Sequence, residues 1–266
     1  MKKGLLFIAM MVSMTSLAQK KLVLYFSESG STKAVAEELQ KQLGADIESI
    51  LPEVPYSGNF QETMQRNQRE AQSGTLPKIK PIKAKIADYD IIFLGYPIWG
   101  GTYASPIASL LKEQNFADKK VVPFCTFGSG GLNTSADALK KALPKANIQA
   151  GYGVRAARVA SAAKELDRFL KENGYKKGSV KPLPAYSEQK PVTDAEKAIF
   201  EAACSSYQFP LGTPETCGKR ITDDSIDYEF KVKSQGFGGG GAQTSTIYVT
   251  MGKEEGAKPE FTQVVR

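Results

Sequence analysis

The sequence predicts an α/β protein built on a doubly wound, five-stranded parallel sheet, followed by a small α+β domain with antiparallel strands. Three observations predict it. Up to about residue 173, short apolar runs alternate with segments whose apolar residues recur at helical spacing, a pattern that implies right-handed crossovers and helices on both faces of a parallel sheet. A stretch rich in Lys, Gly, Pro and Ser then breaks all periodicity, and β signals dominate beyond it. These shifts divide the chain into a leader (1–18), a first domain (20–175), a linker (176–190) and a C-terminal domain (191–266).

The leader has the parts of a secretory signal. Lys2 and Lys3 precede an apolar run from Leu5 to Val12, and small residues ending in Ser16-Leu17-Ala18 suit cleavage before Gln19. The run is shorter than the roughly 20 residues that span a bilayer, so the expectation is export, to the periplasm, without a membrane span after cleavage. No cysteine follows the small residues, which leaves no place for an N-terminal lipid anchor.

Residues 21–26 (KLVLYF) form the first expected strand, ended by a polar turn, and residues 32–43 form a helix with Val35, Ala36, Leu39 and Leu43 on one face and Gly44 to stop it. Residues 45–51 give the second strand. Residues 89–95 give the third, apolar without alternation as a strand covered on both faces should be. Residues 120–126 and 148–154 give the fourth and fifth. Helices are expected at 60–72, 105–114, 133–143 and 161–173. In the C-terminal domain Thr193 and Asp194 cap a helix reaching Ala203, and strands are expected at 221–232, 244–251 and 261–265. The glycine run at 236–241 connects two of these strands; no helix follows it, so it is not read as a phosphate loop.

Composition narrows the chemistry. The formal charge is +7, or about +5 once the two leader lysines are subtracted, without a basic stripe interleaved with aromatics, so nucleic acid is not an expected partner. The chain has no histidine. That removes the commonest general base, the Ser-His and Cys-His nucleophile pairs and most zinc sites. No residue is assigned as catalytic and no metal is expected; the chemistry is expected to belong to a cofactor.

Three segments follow the first, third and fourth expected strands and therefore fall on one end of one sheet, where such sheets bind ligands. In the first, hydroxyls of Ser27, Ser29, Ser31 and Thr32 can donate to phosphate oxygens. Gly30 lets the backbone wrap closely, and the helix starting near Thr32 and Lys33 aims its unpaired N–H groups at the anion. The second segment runs through Tyr96, Pro97, Ile98, Trp99, Gly100 and Gly101. It places the chain's single tryptophan in an expected loop, where an indole can stack on a flat ring and free backbone groups can pair with its polar edge. The third, Thr126, Phe127, Gly128, Ser129 and Gly130, offers backbone donors beside an aromatic ring.

With these motifs, residues 20–175 resemble the flavodoxin superfamily, in particular its bacterial flavodoxin-like branch. That resemblance implies FMN, with its phosphate in the first segment and its isoalloxazine between the second and third. Trp99 would stack on the flavin, and backbone around 96–101 and 126–130 would meet its pyrimidine edge. It implies electron transfer with a redox partner protein or a small acceptor. Acidic character is typical of low-potential members, so the basic balance here predicts a less negative potential, because positive surroundings favour the anionic reduced flavin. Two other readings stand beside the carrier. One is an NAD(P)H-dependent quinone-type reductase, which rapid NAD(P)H oxidation would select; the other is a flavin-free binding or scaffolding protein, which a colourless protein unable to take up FMN would select.

Cys125, at a strand end, reads as a buried core thiol. Cys204 and Cys217 are expected to pair: they would close a short loop in an exported domain, a bridge worth about 3 kcal/mol on the loop-entropy argument.

Overall fold

The computed structural model describes residues 19–235 and 242–266; the expected leader and the glycine run at 236–241 lie outside the described residues. The first domain contains β1 (Lys21–Tyr25), α1 (Ser31–Leu43), β2 (Asp46–Ser49), α2 (Phe60–Ser73), β3 (Ile91–Trp99), β4 (Thr102–Tyr103) and α3 (Ser105–Glu113). It continues with β5 (Lys120–Phe127), α4 (Leu132–Ala142), β6 (Asn147–Ile148), β7 (Tyr152–Arg155) and α5 (Ala162–Glu172). Strands run parallel in the order β2-β1-β3-β5, with β6 and β7 sharing the far edge. The chain thus winds outward in both directions from β1 and β3, and the switch between them opens a crevice at their carboxyl ends.

Alternation along the strands builds two cores. Leu22, Leu24, Ile92, Leu94 and Val121 pack with Ile107 and Leu110 of α3 and Leu139 of α4. On the opposite face Val23, Phe93, Val122 and Phe124 pack with Val35, Ala36 and Leu39 of α1 and Leu166 and Leu170 of α5. Each fully buried aliphatic or aromatic side chain contributes about 1.5–3 kcal/mol against its exposed state, which is why apolar runs specify the central strands.

Two strands depart from expectation. β3 continues past Gly95: Tyr96 and Pro97 pair with Cys125 and Thr126, and Ile98 and Trp99 turn back on Tyr103 and Thr102 of β4. Gly100 and Gly101, with φ of 59° and 85°, form the two-residue turn that the right-handed twist of a hairpin favours. Trp99 therefore ends a strand and does not sit in a loop. The fifth expected strand is split into β6, paired with Lys120 and Val121, and β7, paired from Phe124 onward. The break falls opposite Pro123, which has no N–H to give the ladder.

The C-terminal domain comprises β8 (Lys190–Pro191), α6 (Asp194–Cys204), β9 (Thr213–Ile221), β10 (Ser225–Gln235), β11 (Ala242–Gly252) and β12 (Glu260–Val265), an antiparallel sheet in the order β12-β11-β10-β9-β8. Thr193 and Glu196 form a capping box at the start of α6, and Phe200 and Ala203 pack on Phe230, Val232, Ile247 and Phe261. The strand expected at 221–232 is two: β9 ends at Ile221, the chain turns through 222–224, and β10 begins at Ser225. Pro214, Gly218 and five charged or hydroxyl residues hide β9 in the sequence, because half of it faces solvent.

The expected Cys204–Cys217 bridge is corrected: all three cysteines are free thiols. Cys217 lies at the level of Glu196, whereas Cys204 sits eight residues further along α6, beside Arg155. Eight residues are about 12 Å of helix, and a bridge needs Cα atoms within about 7 Å. Burial pushes both thiols up to about 12.

Candidate functional site

The ends of β1, β3 and β5 meet in space. Thr32 and Thr126, 94 residues apart, share a hydrogen bond of 2.8 Å between their buried hydroxyls. Trp99 lies edge-on to Phe26, ring centroids 5.4 Å apart, and Ile98 packs against Gly131. The three segments singled out in the sequence thus form one continuous rim.

In the first segment Gly30 takes φ +89° and opens α1 without any side-chain cap, and the first turn of α1 carries no acidic residue. Its leading N–H groups and positive dipole end are free to meet an anion. The Ser27 hydroxyl is buried and has no hydrogen-bond partner among the described residues, and the same is true of Thr102 at the hairpin of the second segment. A buried hydroxyl without a partner costs about 1–3 kcal/mol, so Ser27 beside an uncapped helix suits a phosphate ester. Ser29 and Ser31 stand 3.4 Å apart at the exposed lip of the turn.

Other residues of these segments are engaged elsewhere. The Thr32 hydroxyl is turned inward to Thr126. Lys33 points along α1 to Glu37 at 3.7 Å, an exposed pair worth little. Tyr96 is fully buried with its hydroxyl 3.1 Å from Ser135 of α4, and burial raises its pKa well above the usual phenol value. Tyr96 and Pro97 also pair with β5, and Ile98 and Trp99 pair with β4, so free backbone in the second segment is left at the Gly100–Gly101 turn. Trp99 is only 7% exposed, held between Phe26 and Tyr56, the latter 5.0 Å away. It is a buried wall of the rim rather than a free platform.

In the third segment Thr126 and Phe127 are buried and Gly128 is exposed. The Gly128 carbonyl accepts from Nε of Arg155 at 2.7 Å, and the Ser129 carbonyl accepts from the Val264 N–H at 2.7 Å. A Cβ on Gly130 would stand 2.3 Å from the Val264 carbonyl oxygen, so only glycine lets β12 approach this closely. Thr102 and Arg155 were missed as single site residues in the sequence. Arg155 had one local signal, a charge at the carboxyl end of the last parallel strand.

Cys125 is fully buried beneath the rim, and burial raises its thiol far above the ordinary value, which keeps it protonated and inert. A cavity of about 900 Å³ lies away from the rim, between α5 and the C-terminal sheet. Its charges neutralise one another in pairs, Arg158 with Glu165, Lys164 with Asp224, Lys181 with Asp223 and Arg220 with Asp227, and so it has no net preference for an anion.

Residues 20–171 match the sequence model of the Flavodoxin family. Among solved structures, one assigned as a flavoprotein from Bacteroides eggerthii is 31% identical, with 56% of this chain aligned to 98% of that one and a TM-score of 0.48. Another, from Bacteroides uniformis, is 25% identical over 57% of this chain and 99% of that one, with a TM-score of 0.51. A flavoprotein from Lactobacillus acidophilus in complex with FMN is 24% identical over 55% of this chain and 99% of that one, with a TM-score of 0.48. No curated protein matches the chain.

Proposed function

The chain belongs to the flavodoxin family through its first domain, and from that premise we propose that it is an exported FMN protein that carries electrons between redox partners outside the cytoplasm. The observation that carries the reading is the unpartnered, buried Ser27 hydroxyl beside the uncapped start of α1. Those groups hold the phosphate. Ser29 and Ser31 close the turn over it, and Thr32 works indirectly by locking the turn to Thr126. The ring lies between the β3–β4 hairpin and the third segment, where Thr102 and the N–H groups of residues 129–130 can donate to its polar edge. FMN supplies the redox chemistry, taking up and releasing electrons; the protein binds it, orients it and sets its surroundings. Export rests on the charged and apolar pattern of residues 2–18, and the periplasm is the expected compartment.

FMN titration of the mature protein, followed by absorbance and flavin fluorescence, tests the reading. Stoichiometric uptake is expected. Ser27→Ala should weaken it about tenfold, the worth of one hydrogen bond to a charged oxygen at about 1.5 kcal/mol. The same substitution removes an unsatisfied buried hydroxyl and so leaves the flavin-free protein as stable as before or more stable. Failure of the unaltered protein to take up FMN refutes the proposal.

A further inference from the structure

β12 is the edge strand of the C-terminal sheet, and its free edge is spent on the third segment of the rim through the Val264–Ser129 hydrogen bond. Beside it sits Arg155, 8% exposed, whose guanidinium donates to the Gly128 carbonyl at 2.7 Å and to the Phe261 carbonyl of β12 at 3.1 Å. It lies 4.1 Å from the Phe261 ring centre and 5.6 Å from that of Tyr207. Among the described residues no carboxylate pairs with it; Tyr207, Cys204 and Arg158 are the titratable groups facing it, and burial works against its charge. Joining the two domains does not require such an arginine, since Arg158 already bridges Glu165 of α5 and Glu260 of β12 at 2.7 and 2.8 Å. A buried cation without a counter-charge is costly.

The consequence lies in the peptide units of the third segment. In a planar trans peptide the N–H points away from the C=O. With the Gly128 carbonyl held by Arg155 and the Ser129 carbonyl held by Val264, the N–H groups of Ser129 and Gly130 are turned away from the groups that hold their carbonyls. Neither meets an acceptor among the described residues. A cation on the Gly128 carbonyl also polarises that peptide and strengthens its N–H as a donor.

We propose that the C-terminal domain is part of the flavin site: β12 and the positioning residue Arg155 clamp the third segment so that its amide donors favour the reduced, negatively charged flavin over the oxidised one. The inference rests on the FMN reading above. It gives the antiparallel domain a task, setting the potential, and explains why Gly130 faces a strand more than 130 residues away.

The test uses the full mature chain and its Arg155→Gln, Arg155→Lys and Val264→Pro variants. Val264→Pro deletes one N–H on a strand edge, where proline is tolerated. Circular dichroism and thermal melts check folding, FMN titration gives affinity, and equilibration with reference dyes gives the two-electron midpoint. Arg155→Gln and Val264→Pro should each cut the preference for reduced over oxidised FMN about tenfold, lowering the midpoint by ~30 mV. Arg155→Lys, keeping the charge but not the two-carbonyl bridge, should fall between. Folded variants that bind FMN with an unchanged midpoint overturn this inference alone, whereas absence of FMN uptake by the unaltered protein overturns the flavin reading and the inference with it.

Discussion

Replacing Thr32 with Val removes the hydroxyl that ties the first segment to the third while keeping the shape of the side chain. Thr32 is 1% exposed and Thr126 is 3% exposed, and among the described residues their 2.8 Å hydrogen bond is the one side-chain hydrogen bond that either hydroxyl makes. Thr32→Val therefore strands the Thr126 hydroxyl in the core, a cost of about 1–3 kcal/mol, and Thr126→Val strands Thr32 at a similar cost. Replacing both leaves no polar atom without a partner and is nearly neutral. The double variant should thus be no less stable than either single one, with a coupling energy equal to the two single losses together, about 2–6 kcal/mol. Urea melts of the four proteins measure it, and melting temperatures should follow at about 2–4 °C per kcal/mol for a domain of this size. Purely additive losses, with the double variant the weakest of the four, would refute the claim that this pair staples the rim.

Two further outcomes follow from the C-terminal domain. Burial opposes ionisation of Glu196, but Lys219 at 2.6 Å and the N–H and hydroxyl of Thr193 prevail and hold its carboxyl below the ordinary 4.5. A depressed folded value means that its stabilisation is full above the unfolded value and is lost as pH falls through the folded one. The melting temperature of the unaltered protein should therefore drop more steeply than that of Glu196→Gln as the pH falls below the ordinary carboxyl value of 4.5; parallel curves would count against it. Thiol titration of the unfolded, unreduced protein should find all three cysteines free, and a melting temperature that falls on adding reductant would show a bridge after all.

Much of the first domain was legible because its instructions are local. β1 and β3 are runs of residues that water excludes, α1 has an apolar face and a glycine stop, and the hydroxyl-rich turn between them needs only its own residues to be read. Thr193 announced the cap of α6 for the same reason. β9 was not legible, because a strand with one wet face and a proline near its start has no apolar run to show. The continuation of β3 through Trp99 depends on pairing with Thr126 and Thr102, and neither partner is visible in the segment itself.

The sequence by itself determined the order of the principal strands and helices of the first domain and the hydroxyl-rich chemistry at one end of its sheet, since periodicity and residue type act over a few neighbours. Tertiary structure alone decided which hydroxyls remain unpaired, Ser27 and Thr102 but not Thr32. It alone buried Trp99 against Phe26 and Tyr56, kept Cys204 and Cys217 apart, and set β12 and Arg155 against the third segment. A hydrogen bond or a close approach is a property of two groups, and when those groups lie a hundred residues apart no local pattern records whether they meet.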